Sequence, residues 1–252
     1  MVDTFQSTNA RAYIAPGLEG GWASANPHVS LLQPNFGDLA DATSGSWKVG
    51  TTGAIVGRFA FADTVTGLVT NAHPGTGLQM QEGPNAQPGR VRVAFVQRDQ
   101  FALITPYLGG DTMALFSGQG VSLITRGDVW AKFAAGAAIG SFVFASYADG
   151  SCIAVATTTA PTASVAVTTT SGSPNLTGVG AGAFAGQPIT GAGIPAGTWL
   201  VSVNSTAGTA VMSANATASA SITATVTTAA YTPFRVDSVS ASGELSKISV
   251  WG

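Results

Sequence analysis

The sequence predicts an all-β protein: a body of many short strands closed as a barrel or sandwich, with a smaller β unit set into it. Three observations predict this. Residues 90–99, RVRVAFVQRD, alternate Arg90, Arg92 and Ala94 against Val91, Val93 and Phe95, the period of a half-buried strand. Turn signals separate the apolar runs, at Pro84-Asn85, Gly109-Gly110-Asp111, Ser117-Gly118 and Asp149-Gly150. Finally, only residues 131–138, AKFAAGAA, have the composition of a short helix, and Gly136 weakens it.

The elements follow in order. Residues 1–46 carry Gly, Pro, Asn and Ser every few positions and no sustained period, which predicts an extended arm. A solvated linker has no use for large apolar side chains, yet this one holds several. Phe5, Tyr13, Trp22, Pro27, Leu31, Leu32 and Phe36 are therefore the expected contacts to another surface, the chain's own or a neighbour's. From Trp47 the pattern turns to strands: 54–63 with Val56, Phe59 and Phe61 apolar, then 90–99, 101–108, 120–133 and 140–150.

Near residue 158 the composition shifts to Thr, Ala, Ser, Val and Gly. No charged residue occurs between Asp149 and Arg235. Short strands are still predicted at 164–170, 198–204, 209–214 and 221–227, because Thr and Val suit a pleated surface without charge. Trp199, Val201 and Val203 are expected on one face of the second, and Ile222, Ala224 and Val226 on one face of the last. Charge and alternation return in 234–250. The division read from this is an arm at 1–46, a body made of 47–160 plus 228–252, and an inserted small β-sandwich at 161–227.

Composition narrows the function. Charged residues are 9% of the chain and the net charge is −2, so there is no cationic cluster to neutralise phosphates and no nucleic-acid partner is expected. No apolar run is long enough for a membrane span and no leader-like segment is evident, which predicts a soluble protein made in a cytoplasm. Cys152 is the single cysteine, expected as a small apolar residue at a strand end.

The motifs are weak as chemistry. His28 and His73 are the only histidines and are expected at a surface or interface, without an orienting carboxylate. Gly180 to Ala185 fits the spacing of a dinucleotide loop, but the next acid is Asp237, far beyond the position such a loop needs. Arg126-Gly127-Asp128 spells an integrin ligand inside a strand-and-turn context. A glycosidase would need two carboxylates together from Asp63, Glu82, Asp99, Asp111 and Asp128, and nothing in the spacing pairs them. No catalytic residue, cofactor or metal is predicted.

Several phrases stand in order: GGWASANPHVSLL, AIVGRFAFAD, QRDQFALITPYLGGDTMALFSGQGVSLITRGDVWAKF, IGSFVFASYADG and VDSVSASGELSKISVWG. Across 15–155 and 232–252 they resemble the structural cement, or capsid decoration, proteins of tailed bacteriophages. Residues 172–227, with GQPITGAGIPAGTWLVSV, resemble small Ig-like β modules of phage surface and tail proteins, although Trp199 stands where a small or aliphatic residue is usual.

The resemblance implies a β-tulip-like body on the outer capsid surface, bound to the major capsid protein as a homotrimer and without enzymatic activity. The inserted module would face outward. An alternative is a phage surface or tail protein that binds host glycans, with Trp199 as the outward contact.

Overall fold

The computed structural model describes residues 17–31, 47–74, 91–98 and 113–250, and among them every regular element is a strand. The largest sheet has seven strands. In order they are β1 (Val29–Ser30), β9 (Leu123–Arg126), β6 (Val91–Val96), β4 (Phe59–Asp63), β5 (Leu68–Thr70), β2 (Trp47–Val49) and β8 (Gly120–Val121). Its neighbours are antiparallel except the parallel pair β2–β5. A short ribbon, β3 (Ala54–Ile55) with β7 (Ala114–Leu115), lies beside it.

The second sheet orders β10 (Val129–Lys132), β20 (Leu245–Ser249), β19 (Ala229–Val236), β11 (Phe142–Ser146) and β12 (Cys152–Val155). Phe59, Phe61 and Phe95 from the first sheet meet Val143, Phe234, Val236 and Ile248 from the second in one core. Phe59 stands edge-on to both Phe95 and Phe234, with ring centroids 5.4 and 5.7 Å away. Each such buried phenyl contributes roughly 1.5–3 kcal/mol.

The opposite face of the seven-stranded sheet is also buried. Ala60, Ala62 and Ala94 pack there with Trp47, Val49, Val56, Val69, Leu115 and Leu123. The strand at 90–99 was expected to be half-buried, yet β6 is covered on both sides. Alanine reads as the weak member of an alternation, but here it packs in a second core with the larger Trp47, Leu115 and Leu123.

Two local expectations change. The stretch 54–63 forms two strands, because Gly57 adopts φ +82 and turns the chain between β3 and β4. Residues 131–138 form no helix. Gly136 has φ +78, and a Cβ there would stand 2.7 Å from the Ser240 carbonyl oxygen, so this segment is a turn packed on a second turn. The strand expected at 101–108 lies outside the described residues.

The chain leaves the five-stranded sheet after β12 and returns to it at β19, on either side of β11. Between them lies a separate six-stranded sheet: β15 (Ile189–Thr190), β18 (Ala220–Thr227), β13 (Thr162–Thr169), β14 (Asn175–Thr177), β17 (Thr209–Met212) and β16 (Leu200–Asn204). Its two ends meet, since the Ile189 N–H donates to the Thr198 carbonyl and the Leu200 N–H to the Gln187 carbonyl, both at 2.9 Å. The small sandwich read from the sequence thus takes the form of one sheet curled onto itself, which leaves few free edges. Its core holds Val165, Val167, Leu176, Ile189, Leu200, Ala224 and Val226.

Ile222, Ala224 and Val226 share the inward face as expected. The strand near Trp199 differs. The register shifts between Leu200 and Ser202, and this irregularity turns Leu200 into the core while Trp199 stays half-buried.

Candidate interaction surface

Residues 17–31 lie on the chain's own body as a strap across both sheets. At the five-stranded sheet, Gly20 donates to the Trp130 carbonyl at 2.8 Å, Trp130 donates to Gly21 at 3.0 Å, and Ala23 donates to Asp128 at 2.9 Å. Trp22 pairs there with Val129 and packs on the core between the sheets. Seven residues on, Val29 and Ser30 pair with Arg126 and Ile124 at the edge of the seven-stranded sheet. The Trp47 indole N–H closes the strap with a 2.7 Å bond to the Leu31 carbonyl.

Glycines on both partners make this close approach possible. Gly17 lies against the Trp130 indole, and a Cβ on it would occupy the ring's position. The Glu19 side chain lies over Gly57, and Trp22 and His28 cover Gly127 at 3.2 and 3.1 Å from where its Cβ would be. Trp22 and His28 also face each other, with ring centroids 4.2 Å apart.

Asp128 fastens the strap. It is 2% exposed. Its Oδ2 accepts from the Ser24 hydroxyl at 2.6 Å and the Asn26 amide at 2.8 Å, and lies 3.2 Å from Lys247 Nζ. Lys247 also reaches Asp237 at 3.6 Å. Burial pushes the Asp128 pKa up, but hydrogen bonds from Ser24, Lys247 and Asn26, with the Lys247 charge, outweigh it and hold the carboxyl below its ordinary value. The acid of the Arg-Gly-Asp motif is therefore an internal fastener, closed to a receptor.

Of the predicted contact residues, Trp22 and Leu31 are half-buried against the body and Pro27 is exposed. Phe5, Tyr13, Leu32 and Phe36 lie outside the described residues. Of the two surfaces the sequence left open, residues 17–31 take the chain's own, but their strand pairing was not legible, because backbone pairing and glycine contacts leave no hydrophobic period. The usable signal was the run of Gly17, Gly20 and Gly21 before Trp22.

His73, expected at a surface or interface, is buried. Its ring lies 5.3 Å from Phe61 and 5.8 Å from Tyr147, and Gly186 of the insert sits directly against it. Burial lowers its pKa to about 4. The folded state thus keeps it neutral while an unfolded chain protonates near pH 6.5. Stability is full above that value, falls as pH drops from 6.5 towards 4, and is flat for this group below 4. The loss is expected to be about 3 kcal/mol in urea titrations, and His73→Gln should remove that window.

The other described candidates serve local structure. Asp63 accepts the Val65 N–H and the Thr66 hydroxyl, both at 2.8 Å, and caps the turn between β4 and β5. A groove of about 540 Å³ beside it is lined by Val65, Leu68, Thr70, His73 and Pro74. Burial pushes the Cys152 thiol well above its ordinary value, so it remains protonated. Glu82, Asp99 and Asp111 lie outside the described residues, and the described ones contain no group of His, Cys, Asp and Glu fit to hold a metal ion. The Trp199 indole N–H is enclosed with no protein acceptor.

The model of the XM1 gp53 minor capsid protein family matches residues 5–181, more than two thirds of the chain. The chain belongs to that family. It is a virion structural protein that associates with other capsid components. The match takes in the N-terminal segment from Phe5, the seven- and five-stranded sheets up to β12, and the first strands of the six-stranded sheet, ending after β14. No curated protein matches the chain.

Proposed function

We propose that this minor capsid protein binds the outside of the assembled shell and cements neighbouring major capsid subunits, acting as a homotrimer without enzymatic activity. The family match carries the reading, since it assigns a virion role to a fold whose described acids and histidines serve turns, strap and core. In this reading 1–46 is the arm, 47–160 plus 228–252 the shell-bound body, and 161–227 an outward-projecting knob. Phe5 and Tyr13 are the apolar anchors that the arm lays on a neighbour, where strand addition supplies main-chain hydrogen bonds. Three arms on one trimer convert modest single contacts into strong attachment through effective concentration.

The strap dictates the test. A deletion that reached residue 40 would remove Trp22 from the core, so the informative deletion is 2–16. Shell binding by co-sedimentation is expected to weaken at least ~10-fold, about 1.4 kcal/mol. Thermal unfolding and the trimer mass from light scattering should not change. Undiminished binding would remove the arm from the mechanism.

A further inference from the structure

The five-stranded sheet ends in a tip made of two turns, 134–140 and 238–243. Ala137 and Ser240 exchange both backbone hydrogen bonds, each at 3.0 Å. The N–H groups of Gly136 and Gly243 both donate to the carbonyl of the buried Phe133, at 3.2 and 2.8 Å. The Ser242 hydroxyl donates to the Ala134 carbonyl, and the Glu244 carboxylate accepts the Ala241 N–H at 3.0 Å. The tip is thus tied to itself and to the core, and holds one shape before any partner arrives.

What this rigid tip displays is apolar. Ile139 is 69% exposed and Val239 73%, the two highest values among the described large hydrophobic side chains. Ala134, Ala135, Ala138 and Ala241 are exposed around them, and neither turn contains a charged residue. The charged groups lie just outside it: Lys132, Arg235, Asp237 and Glu244. A cleft of about 200 Å³ at the side runs between Ile139, Pro233, Arg235 and Asp237. An apolar centre with a charged rim is the layout of a protein–protein contact, whereas single exposed aliphatics are unremarkable.

Position chooses the partner. β19 begins at Ala229, where the chain emerges from the six-stranded sheet, and ends at Val236, where it enters the tip. Eight extended residues place those ends roughly 23 Å apart. β11 repeats the relation, with Phe142 at the tip end and Ser146 paired with Ala229. The insert and the tip therefore occupy opposite ends of one sheet. If the insert faces solvent, the tip faces the shell.

We propose that this paired-turn tip seats in an apolar recess on a capsid subunit, with Ile139 and Val239 as the buried anchors and Arg235 and Asp237 fixing orientation at the rim. This rests on the capsid-binding reading above and adds to it a second foothold, separate from the arm.

The test is Ile139→Asp with Val239→Asp in the full chain, assayed by co-sedimentation with shells lacking the protein. Binding is expected to fall at least ~30-fold, because two carboxylates would be desolvated on docking. Melting temperature and oligomer mass should hold, since both side chains face water in the free protein. Ile139→Ser with Val239→Ser is the milder pair should the acidic one misfold, and a photo-crosslinker at position 139 should label a capsid subunit where one at Thr223 does not. If the wild-type chain binds shells and the acidic variant binds equally, the tip is not the foothold while the capsid-binding reading stands. A change in oligomer mass with normal shell binding would mean that a second copy takes the tip, and the proposal falls. Failure of the wild-type chain to bind shells would overturn the capsid-binding reading itself.

Discussion

Replacing Gly150 by alanine is expected to lower the unfolding free energy by about 3–5 kcal/mol, the largest effect of any single change considered. Gly150 has φ +66, and a side chain there costs roughly 1–2 kcal/mol on backbone grounds alone. The greater cost is steric. Its Cβ would collide with the Phe59 carbonyl oxygen and lie 2.9 Å from the Phe59 carbonyl carbon and 3.1 Å from the Asn71 carbonyl oxygen. Every one of these atoms is backbone, so no rotamer change relieves the contact.

The approach is held by a 2.8 Å bond from the Phe59 N–H to the Gly150 carbonyl, with Arg58 paired to Asp149 at 2.7 Å beside it. Moving the turn away would open the core at Phe59. Gly118 provides the control: its φ is +84, but nothing lies within 4 Å of its Cβ position, and Gly118→Ala should cost only ~1 kcal/mol. Equal urea midpoints for the two variants would refute the close approach.

Asp128→Ala is expected to cost about 3 kcal/mol and to loosen residues 17–31 selectively. The substitution removes the acceptor shared by Ser24 and Asn26 and strips Lys247 of its nearer partner. Lys247 is partly solvated and keeps Asp237, which holds the figure near the lower end for a broken buried pair. Hydrogen exchange should report faster opening at the Ala23 and Trp130 amides, which tie the strap to β10. Amides of β13 and β18 should be unaffected.

Because the folded carboxyl is held below its ordinary value, its contribution is present above the usual carboxylate range and is lost as pH falls through the folded value. This window lies below the one set by His73. A pH titration should therefore show two steps, and Asp128→Asn should diminish only the lower, to which the similarly depressed Asp149 also contributes.

Sequence patterning disclosed the strands wherever one face is buried and the other wet. β13 and β18 alternate cleanly and pair over eight residues, from Thr162 with Thr227 to Thr169 with Ala220. The composition shift near 158 marks the departure from the second sheet to within a few residues. Patterning failed where a residue's job is set by a neighbour remote in sequence. Gly57, at φ +82, breaks a strand and leaves room for Glu19 from the distant strap, and Leu200 turns inward at an irregular register. Asp128 looks like a turn acid until Ser24 and Asn26 arrive from a hundred residues away. The tip was invisible for a related reason: AKFAAGAA, residues 131–138, reads as weak helix, and only pairing with 238–243 makes its second half a rigid turn.

The strand order of the second sheet has a consequence for biosynthesis. Two of its three interior strands, β20 and β19, leave the ribosome after the six-stranded unit, whereas the third, β11, and the edges β10 and β12 emerge before it. The nascent chain must therefore hold three incomplete strands while the curled six-stranded unit, closed within 162–227, completes itself. A truncation before Ala229 should thus yield an intact six-stranded unit beside an incomplete second sheet, and β19 with β20 act as the bolt that locks that sheet together.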